Sequence, residues 1–517
     1  MKENVSINKE YNSLFSRWHE VVFGMIFSVV IYSTFMTQQL TNTYDGLWRQ
    51  NYSRAGDWER SLGRWLLYEV DLIHKGLHLD PMTSIMTLAA YVLGFVLILD
   101  LFNVKSKVIS YISMALFLSS TLVSIVLSYR MTSFAYGLSF LVSATAIYLL
   151  NKIKSANISI VAAAVCICGS MSLYQAYFEV FCLVALFYLI YQIMISKINM
   201  KQFTSYLIDL AESTVIGIIL YAFTMSVSLK RKHITLSSYH GASSAGSTDT
   251  LKSIPVSVIR AYKEFFGYYF DPKGRGFYIN AFQDLKLLWF AFAIALTVII
   301  FAGVKIFKEC EKVQFILYCV TIILMPLASN VVLIMAPQAD FSLQITVGLA
   351  IFLPMVVMLM DNLQNINKYV TGVALAILML IVGGNTLQVQ LDQNAMLEGR
   401  NACTTMAYQI IDDLKDQNML DSELFFVGSM ADNPKFFKSE LFDKANNYAR
   451  VGCFALNGNC MRQSYYGLFD RLLGAELRFK HVDYEELAYA EDIAAMPSYP
   501  YDGYIKNRDG VVIVKIN

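Results

Sequence analysis

The segment TNTYDGLWRQNYSRAGDWERSLGRW, residues 41–65, follows an apolar run without charges over residues 21–43, and a second apolar run begins at Pro81. The charged and aromatic residues of the segment are Asp45, Asp57, Glu59, Arg49, Arg54, Arg60, Arg64, Tyr44, Trp48, Tyr52, Trp58 and Trp65. Guanidinium groups suit a phosphate, aromatic rings suit the apolar face of a sugar, and a carboxylate can transfer a proton. Two interpretations follow: a site for an anionic lipid headgroup and a sugar, or an ordinary juxtamembrane loop with an aromatic belt.

Composition places the chain in a membrane. Hydrophobic residues make up 56% of the 517 residues and charged residues only 16%, and the mean hydropathy is +0.46. Soluble domains carry about 25% charged residues, so we expect an integral membrane protein. A net charge of +1 gives no electrostatic footprint for nucleic acid. The first apolar run is longer than a cleaved signal peptide, and we interpret it as a signal anchor.

Apolar runs predict the number of membrane spans. A spanning helix needs about 20 mostly apolar residues, and the backbone must satisfy its own hydrogen bonds in lipid, which favours helices. The sequence predicts an all-α polytopic protein. The eleven candidate spans are 21–40, 82–101, 109–128, 133–150, 157–173, 177–196, 205–226, 286–304, 315–335, 341–360 and 369–388. The pair 157–173 and 177–196 is also compatible with one long broken element.

The placement of lysine and arginine predicts the orientation, because cytoplasmic connections are rich in these residues. With the N-terminus in the cytoplasm, every short connection on that side carries at least one cation. These cations are Lys2, Lys9, Arg17, Lys105, Lys107, Lys152, Lys154, Lys197, Lys201, Lys305, Lys308, Lys312 and Lys368. Eleven spans then place the C-terminus outside, together with the long connections 41–80 and 228–285.

The residues after the last span are predicted to form a small domain. We divide the chain into a transmembrane domain, 1–390, and an extracytoplasmic α/β domain, 391–517. Short β-branched or apolar runs that end at glycine or start after a turn predict strands. The predicted strands are 423–429 and 509–517, and the predicted helices are 400–420, 435–449 and 461–475.

Several chemistries are not supported by the sequence. It has no P-loop, no GxGxxG after a strand and no GxSxG elbow, and no cysteine and histidine spacing that suits zinc. The spans carry few ionisable residues, which argues against an ion-coupled carrier. No α/β domain for a nucleotide sugar is predicted on the cytoplasmic side. A sugar handled outside must therefore arrive linked to a lipid.

Five segments resemble one family. They are NTYDGLW (42–48), YSRAGDWERSLGRW (52–65), LDPMTSIMTL (79–88), SYRMTSFAYGLSF (128–140) and SLYQAYFEV (172–180). They resemble the bacterial multi-pass glucosyltransferases that modify O-antigen and related surface polysaccharides, the glucosyl transferase II family, placed in the GT-C superfamily. The resemblance implies a GT-C-like membrane fold in the bacterial cytoplasmic membrane. It also implies transfer of a hexose, most often glucose, from a polyprenyl phosphate to a surface glycan or its lipid-linked precursor, with inversion.

The resemblance, together with the positions of the residues at the predicted outer ends of the spans, implies roles for individual residues. Asp45, just past the first span, is the expected general base, and Asp57 and Glu59 are the alternatives. The expected phosphate-binding residues are Arg60, Arg64 and Arg130. The expected sugar- or acceptor-binding residues are Trp48, Trp58, Tyr174, Gln175 and Glu179. No cofactor is expected, and dependence on a divalent metal stays open.

Other interpretations of these residues remain. Asp57 and Glu59 could orient Arg60 and Arg64 through ion pairs, and Arg64 could anchor the loop at the membrane surface. Tyr174, Gln175 and Glu179 could be polar contacts between helices.

Two functions compete with the glycosyltransferase: a flippase or carrier for a lipid-linked sugar, and a polymerase or ligase of surface glycan. A lipid-sugar synthase and a flippase are the expected functional partners of a transferase.

Overall fold

The computed structural model describes residues 16–517 apart from 50, 197, 199, 240–247, 273–279, 339–341, 364–367, 437 and 455–457. The predicted cytoplasmic cations Lys2, Lys9 and Lys197 and parts of the predicted 228–285 connection therefore lie outside the described residues. Helices predominate in the described part of the chain, and a single four-stranded sheet occurs in it.

The helices up to residue 416 form the apolar part of the molecule. In chain order they are α1 (Trp18–Ile31), α2 (Ser33–Gln38), α3 (Asp45–Trp48), α4 (Asp57–Ser61), α5 (Leu67–Asp71), α6 (Met82–Leu101), α7 (Lys107–Leu118), α8 (Thr121–Ser128), α9 (Ser133–Lys152), α10 (Ala156–Leu173), α11 (Phe178–Ser196), α12 (Met200–Lys232), α13 (Thr248–Phe270), α14 (Leu285–Glu309), α15 (Lys312–Ala328), α16 (Val331–Met335), α17 (Val347–Met360) and α18 (Lys368–Asp416).

Seven of these helices are long and apolar enough to cross a membrane, namely α6, α9, α10, α11, α12, α14 and α18, and the pair α7 and α8, bent by 45°, makes up to eight. Three further apolar helices, α1, α15 and α17, are shorter, with 14, 17 and 14 residues. The chain is thus a membrane protein with many apolar helices, but the predicted number of eleven spans is not confirmed. The prediction counted apolar residues. In the structure, several of these apolar runs form helices that end or bend before they reach spanning length.

One end of the helix assembly gathers charged groups from distant connections. Arg17 Nε lies 3.4 Å from Asp100 Oδ1, and Lys152 Nζ lies 3.0 Å from Asp100 Oδ2. Lys305 Nζ donates to the carbonyl of Asn362 at 3.1 Å. The lysine and arginine pattern assigns the connections that carry these residues to the same side. The helix ends assigned to that side therefore lie together in the structure. That this end faces the cytoplasm stays a prediction.

The C-terminal part contains the sheet. Its elements are β1 (Glu423–Val427), α19 (Glu440–Lys444), α20 (Gly458–Tyr466), a π-helical turn (Gly467–Leu472), β2 (Arg478–Phe479), α21 (Tyr484–Ala488), α22 (Glu491–Ala494), β3 (Ile505–Arg508) and β4 (Val511–Lys515). The strand order is β2-β1-β4-β3; β1 is parallel to β2 and β4, and β3 is antiparallel to β4. The predicted strands are confirmed as β1 and β4. Of the predicted helix 435–449, only α19 is α-helical.

The boundary between the predicted domains falls inside a continuous helix. Helix α18 runs for 49 residues and passes through position 390 without interruption. Buried residues of the membrane helices and of the C-terminal part belong to the same hydrophobic core, for example Leu88 on α6 and Leu468. The division into 1–390 and 391–517 stays a prediction.

The short helix α3 lies between the membrane helices and the C-terminal part. On one side, Asn42 N and Thr41 Oγ1 donate to the carbonyl of Ser128 at the end of α8, at 2.9 and 3.1 Å. On the other side, the Trp48 ring contacts the Tyr466 ring at 6.0 Å between centroids. Helix α3 and the two residues Thr41 and Asn42 are therefore held from both sides, and this part of the segment contacts both parts of the chain.

A glycine makes this contact possible. A Cβ added at Gly467 would lie 2.4 Å from the backbone carbonyl carbon of Leu47, which cannot move away as a flexible side chain can. We expect Gly467→Ala to lower the free energy of unfolding by about 1–3 kcal/mol, as overpacking does. The measurement is thermal unfolding of the purified full chain. Gly372→Ala on α18 is the control, because nothing lies within 4 Å of its added Cβ; equal unfolding temperatures for both variants would contradict the docking.

Candidate active site

Glu59 holds the 41–80 connection together. It is buried; its Oε2 accepts a hydrogen bond from Gly56 N at 2.7 Å, and its Oε1 lies 2.9 Å from Arg49 Nη1. Burial raises the pKa of Glu59, but Arg49 and the backbone N–H groups outweigh it, and the pKa is lowered. Glu59 therefore caps α4 as a stable carboxylate. Its ion pair is with Arg49, so the predicted pairing of Glu59 with Arg60 or Arg64 is wrong.

Asp45 lies in a different environment. It is the first residue of α3 and is half-buried, and among the described residues no donor forms a hydrogen bond to its carboxylate. Burial raises its pKa; Arg49 and Arg64 lower it, and Glu59 raises it further. A carboxyl group with a raised pKa, partial access and no hydrogen-bond donor suits proton transfer.

Asp57 is the third predicted carboxylate. It is exposed at the first turn of α4, and none of the ion pairs in the described part of the chain includes it. Its exposure leaves the side chain in water, and it lies on the same connection as Asp45, which makes it a matched comparison for that residue.

Arg64 is placed by the turn that precedes it. Gly63 has φ +82°, and a Cβ added there would lie 2.3 Å from Tyr221 Oη and 3.0 Å from Gln175 Nε2. Gln175 Nε2 donates to the carbonyl of Leu62 at 2.6 Å and to Tyr221 Oη at 3.0 Å. Only glycine satisfies both the backbone conformation and the close approach. The turn therefore fixes Arg64 against the junction of α10 and α11.

The Arg64 guanidinium has no acidic partner among the described ion pairs. Its Cζ lies 4.4 Å from the centroid of the Tyr174 ring, and its Nε is buried without a hydrogen-bond partner. Tyr174 is itself buried and packs on the ring of Tyr136 at 4.5 Å. A cation–π contact only partly compensates a desolvated guanidinium. The arrangement therefore favours an anion beside Arg64, and Asp45 lies within its electrostatic reach.

The other predicted phosphate-binding arginines are engaged elsewhere. Arg60 is buried, lies 4.6 Å from the Tyr68 ring centroid and donates to Ser228 Oγ at 3.0 Å. Arg130 forms an ion pair with Asp80, Nε to Oδ2, at 2.5 Å. These contacts favour structural roles for Arg60 and Arg130 and leave Arg64 as the arginine most open to a phosphate. Arg64 also lies beyond the end of α4, the helix that carries Arg60.

The predicted sugar-binding aromatic residues differ in access. Trp48 is half-buried against Tyr466. Trp58 is 49% exposed, and its ring lies 5.5 Å from that of Tyr239. Tyr174 is covered by Arg64. The structure therefore brings Trp48 and Tyr174 near Asp45 and Arg64, while Trp58 lies on the outer surface of α4.

Glu179 occupies a buried position between helices. Its Oε1 accepts from Val332 N at 3.4 Å, and its Oε2 accepts from Gly348 N at 3.2 Å. These nitrogens belong to the first turns of α16 and α17, whose unpaired N–H groups and positive dipole ends favour an anion. Glu179 thus joins two helix N-termini to α11, which favours a structural role over contact with a sugar.

Two residues of the site were missed by the sequence analysis. Arg49 stood in the quoted segment without a role, yet it pairs with Glu59 and lowers the pKa of Asp45. Asp71 is buried and accepts a hydrogen bond from Ala55 N at 2.6 Å. No local spacing signals these contacts, because the partners are joined only when the connection folds back on itself.

The fold and this site define a class: a mostly helical membrane protein with a carboxylate and a guanidinium group on a connection between apolar helices. The family follows from comparison with known proteins. Residues 34–359, more than half of the chain, match the family model described as glucosyl transferase GtrII, and the chain belongs to this family. The family indicates a membrane glucosyltransferase. No curated protein and no solved structure matches the chain.

The Asp71 carboxyl group predicts a pH effect on stability. Burial raises its pKa from 3.8 to about 7. The folded protein therefore binds this proton more tightly than the unfolded chain, so stability falls as pH rises between the two values and the effect levels off above about pH 7. Asp71→Asn removes the ionisation while its amide oxygen can still accept from Ala55 N. We expect the variant to gain stability relative to the native protein from about pH 4 to about pH 7.

Thermal unfolding of the purified chain across this range measures the difference. Asp57→Asn is the control, because it makes the same substitution at an exposed position of the same connection. A constant difference between Asp71→Asn and the native protein at all pH values would contradict the assignment.

Proposed function

We propose that the chain transfers glucose from a polyprenyl-phosphate donor to a hydroxyl of a surface glycan, at the extracytoplasmic face of the bacterial cytoplasmic membrane. The observation that carries the proposal is that Asp45, a half-buried carboxylate with a raised pKa, lies within electrostatic reach of Arg64, a guanidinium without an acidic partner among the described ion pairs. Both lie on the first connection after the apolar N-terminal run. One group accepts a proton and the other compensates a phosphate.

The reaction is a single displacement. Asp45 removes the proton of the acceptor hydroxyl as its oxygen forms a bond to the anomeric carbon. The bond between this carbon and the phosphate oxygen breaks, its electron pair stays on the phosphate, and polyprenyl phosphate leaves. Attack opposite the leaving group inverts the anomeric configuration. The proton remains on Asp45 until it is lost to water.

Arg64 acts on the leaving group. The phosphate gains negative charge as the bond to the sugar breaks, and a fixed cation stabilises charge that develops in the transition state. Arg64 is preorganised by the Gly63 turn and by the Tyr174 ring, so little reorganisation is needed. Arg49, which is paired with Glu59, opposes the effect of burial and lowers the pKa of Asp45.

The donor class follows from the proposed side of the membrane. Nucleotide sugars are cytoplasmic, so a sugar used outside must be carried there on a lipid. A polyprenyl phosphate would present its phosphate at headgroup depth, where Asp45 follows the first apolar run. A lipid-sugar synthase and a flippase would supply it. We also assign the membrane part to the GT-C type of transferase, because an acidic residue lies in its first outer connection.

The direct test is an assay of the purified full chain in nanodiscs with radiolabelled polyprenyl-phosphate glucose and a lipid-linked surface glycan as acceptor. We expect label in the glycan and release of polyprenyl phosphate. Movement of the lipid-linked sugar between leaflets without transfer would instead favour a carrier. Transfer only from a lipid-diphosphate glycan would favour a polymerase or ligase.

The proposed base gives a prediction. Asp45→Asn keeps size but removes the base, so we expect turnover in this assay to fall by about 10²–10⁴-fold, the usual contribution of general-base catalysis. Donor binding should be retained, because the phosphate is held by Arg64. Asp57→Asn is the matched control on the same connection and should keep nearly full turnover. Full activity of Asp45→Asn with loss in Asp57→Asn would transfer the role to Asp57.

The proposed phosphate contact gives a second prediction. Arg64→Lys keeps the charge but loses the planar fork and the stacking on Tyr174. We expect KM for the donor to rise about tenfold or more, as loss of a charge-assisted contact does. Arg54→Lys is the control, because Arg54 also lies over a tyrosine ring, Tyr68 at 4.1 Å, but it is not among the groups that act on Asp45. Equal donor KM values in the two variants would remove Arg64 from the site.

A further inference from the structure

Three aromatic side chains lie next to one another between the surroundings of Asp45 and the surface of the protein. They are Tyr129, Tyr239 and Trp58, and we call them the aromatic row. Tyr129 is half-buried, whereas Tyr239 and Trp58 are each 49% exposed. The three residues come from three separate connections, so only the folded chain brings them together.

The inner end of the row, Tyr129, lies beside the helix that carries Asp45. Tyr129 follows Ser128, whose carbonyl accepts a hydrogen bond from Asn42 N at 2.9 Å. The Oδ1 atom of Asn42 in turn accepts from Gly46 N of α3 at 2.9 Å. Asp45 is among the groups with the largest electrostatic effect on Tyr129. The phenol therefore lies within electrostatic reach of the proposed base.

The electrostatic neighbours of Tyr129 favour a position on the acceptor side of the site. Arg64 is the leading charge that acts on Tyr136, but it is not among the groups with the largest effect on Tyr129. In an inverting displacement, the acceptor reaches the anomeric carbon from the side opposite the phosphate. A residue that faces Asp45 more than Arg64 is therefore placed to contact the acceptor.

A polar partner stands behind Tyr129. Its hydroxyl is hydrogen-bonded to the side chain of Gln344, which lies in the 3₁₀ turn Leu343–Ile345 before α17 and is also half-buried. Burial raises the pKa of Tyr129, so the hydroxyl stays protonated at neutral pH and can donate. A phenol and an amide side by side offer both donors and acceptors, which match the hydroxyl groups of a sugar.

The outer end of the row is a fixed pair of rings. The Tyr239 ring lies 5.5 Å from the Trp58 ring between centroids, at an interplanar angle of 63°, and Tyr239 also acts electrostatically on Tyr129. Ser237 N donates to the carbonyl of Ser61 at 2.9 Å, and Tyr239 N donates to Ser237 Oγ at 3.1 Å. The segment after α12 is thus attached to α4. Preorganised rings bind at low entropic cost and suit the apolar faces of pyranose units.

Exposed tryptophan and tyrosine side chains also form aromatic belts at membrane surfaces. A belt requires only that each ring reaches the interface between lipid and water. The aromatic row has a further property, because its inner end is a hydroxyl and amide pair within electrostatic reach of a carboxylate. This continuity with the candidate active site favours a saccharide chain as the occupant.

We propose that the aromatic row and Gln344 bind consecutive sugar units of the acceptor glycan. The unit on Tyr129 and Gln344 presents its hydroxyl to Asp45, and the next units lie on Tyr239 and Trp58. The proposal rests on the proposed function for the glycan's role as acceptor, whereas saccharide binding itself does not require transfer.

The test is binding of short oligosaccharides, cut from the surface glycan of the bacterium that produces the chain, to the purified full chain in nanodiscs without donor. Saturation-transfer NMR measures the binding. We expect the native chain to bind, and Tyr239→Ala and Trp58→Ala to bind on the order of tenfold more weakly, through loss of a stacked ring. Tyr129→Phe removes only the hydroxyl and should weaken binding severalfold, the usual effect of one hydrogen bond.

The matched controls are exposed aromatic residues outside the row. Trp18 is 56% exposed at the start of α1, and Tyr501 is 55% exposed between α22 and β3. Trp18→Ala and Tyr501→Ala should bind as the native chain does. Thermal unfolding checks that each variant is folded.

Kinetics add a readout that a purely structural role would not change. In the glucosyl-transfer assay, Tyr239→Ala and Trp58→Ala should raise KM for the acceptor and leave KM for the donor unchanged. No binding by the native chain, or native-like binding by Tyr129→Phe, Tyr239→Ala and Trp58→Ala, overturns the proposal and leaves the rings as an aromatic belt. Native binding without glucosyl transfer would refute the proposed function and leave the saccharide-binding surface standing.

Discussion

The close contact of Gly63 with Tyr221 and Gln175 determines where a cation lies at the edge of the helix assembly. The left-handed turn brings Arg64 over the ring of Tyr174, in a position where its Nε is buried without a partner. A partly desolvated guanidinium is costly unless an anion or hydrogen-bond acceptor faces it. A negative charge beside the Arg64 guanidinium is therefore favoured, and Asp45 compensates the guanidinium charge only in part. A lipid phosphate would compensate it fully.

The carboxylates of one short connection differ because their surroundings differ. Glu59 is held ionised by Arg49 and a backbone N–H, Asp71 is buried with a pKa of about 7, Asp57 is in water, and Asp45 is half-buried without a hydrogen-bond donor among the described residues. Environments that separate pKa values also separate roles. This sorting, and not acidity alone, makes Asp45 the base in our proposal.

Properties that depend on local sequence were predicted well. The many apolar helices, strands β1 and β4 and the acidic and arginine-rich connection follow from runs of residues. Partners distant in sequence were not predictable, because they depend on how helices pack: Glu179 joins the N-termini of α16 and α17, and Arg130 pairs with Asp80. The predicted number of spans is not confirmed for a related reason, since hydropathy counts apolar residues and does not locate helix ends or the bend between α7 and α8.

We infer that a lipid phosphate binds beside Arg64 with its sugar next to Asp45. Electron cryomicroscopy of the full chain in nanodiscs with a polyprenyl-phosphate glucose analogue that cannot transfer its sugar would test it most directly. We predict density for the phosphate in contact with the Arg64 guanidinium and for the sugar between Asp45 and Trp48. Phosphate density at the opposite end of the helices, near Arg17 and Lys152, would contradict the account.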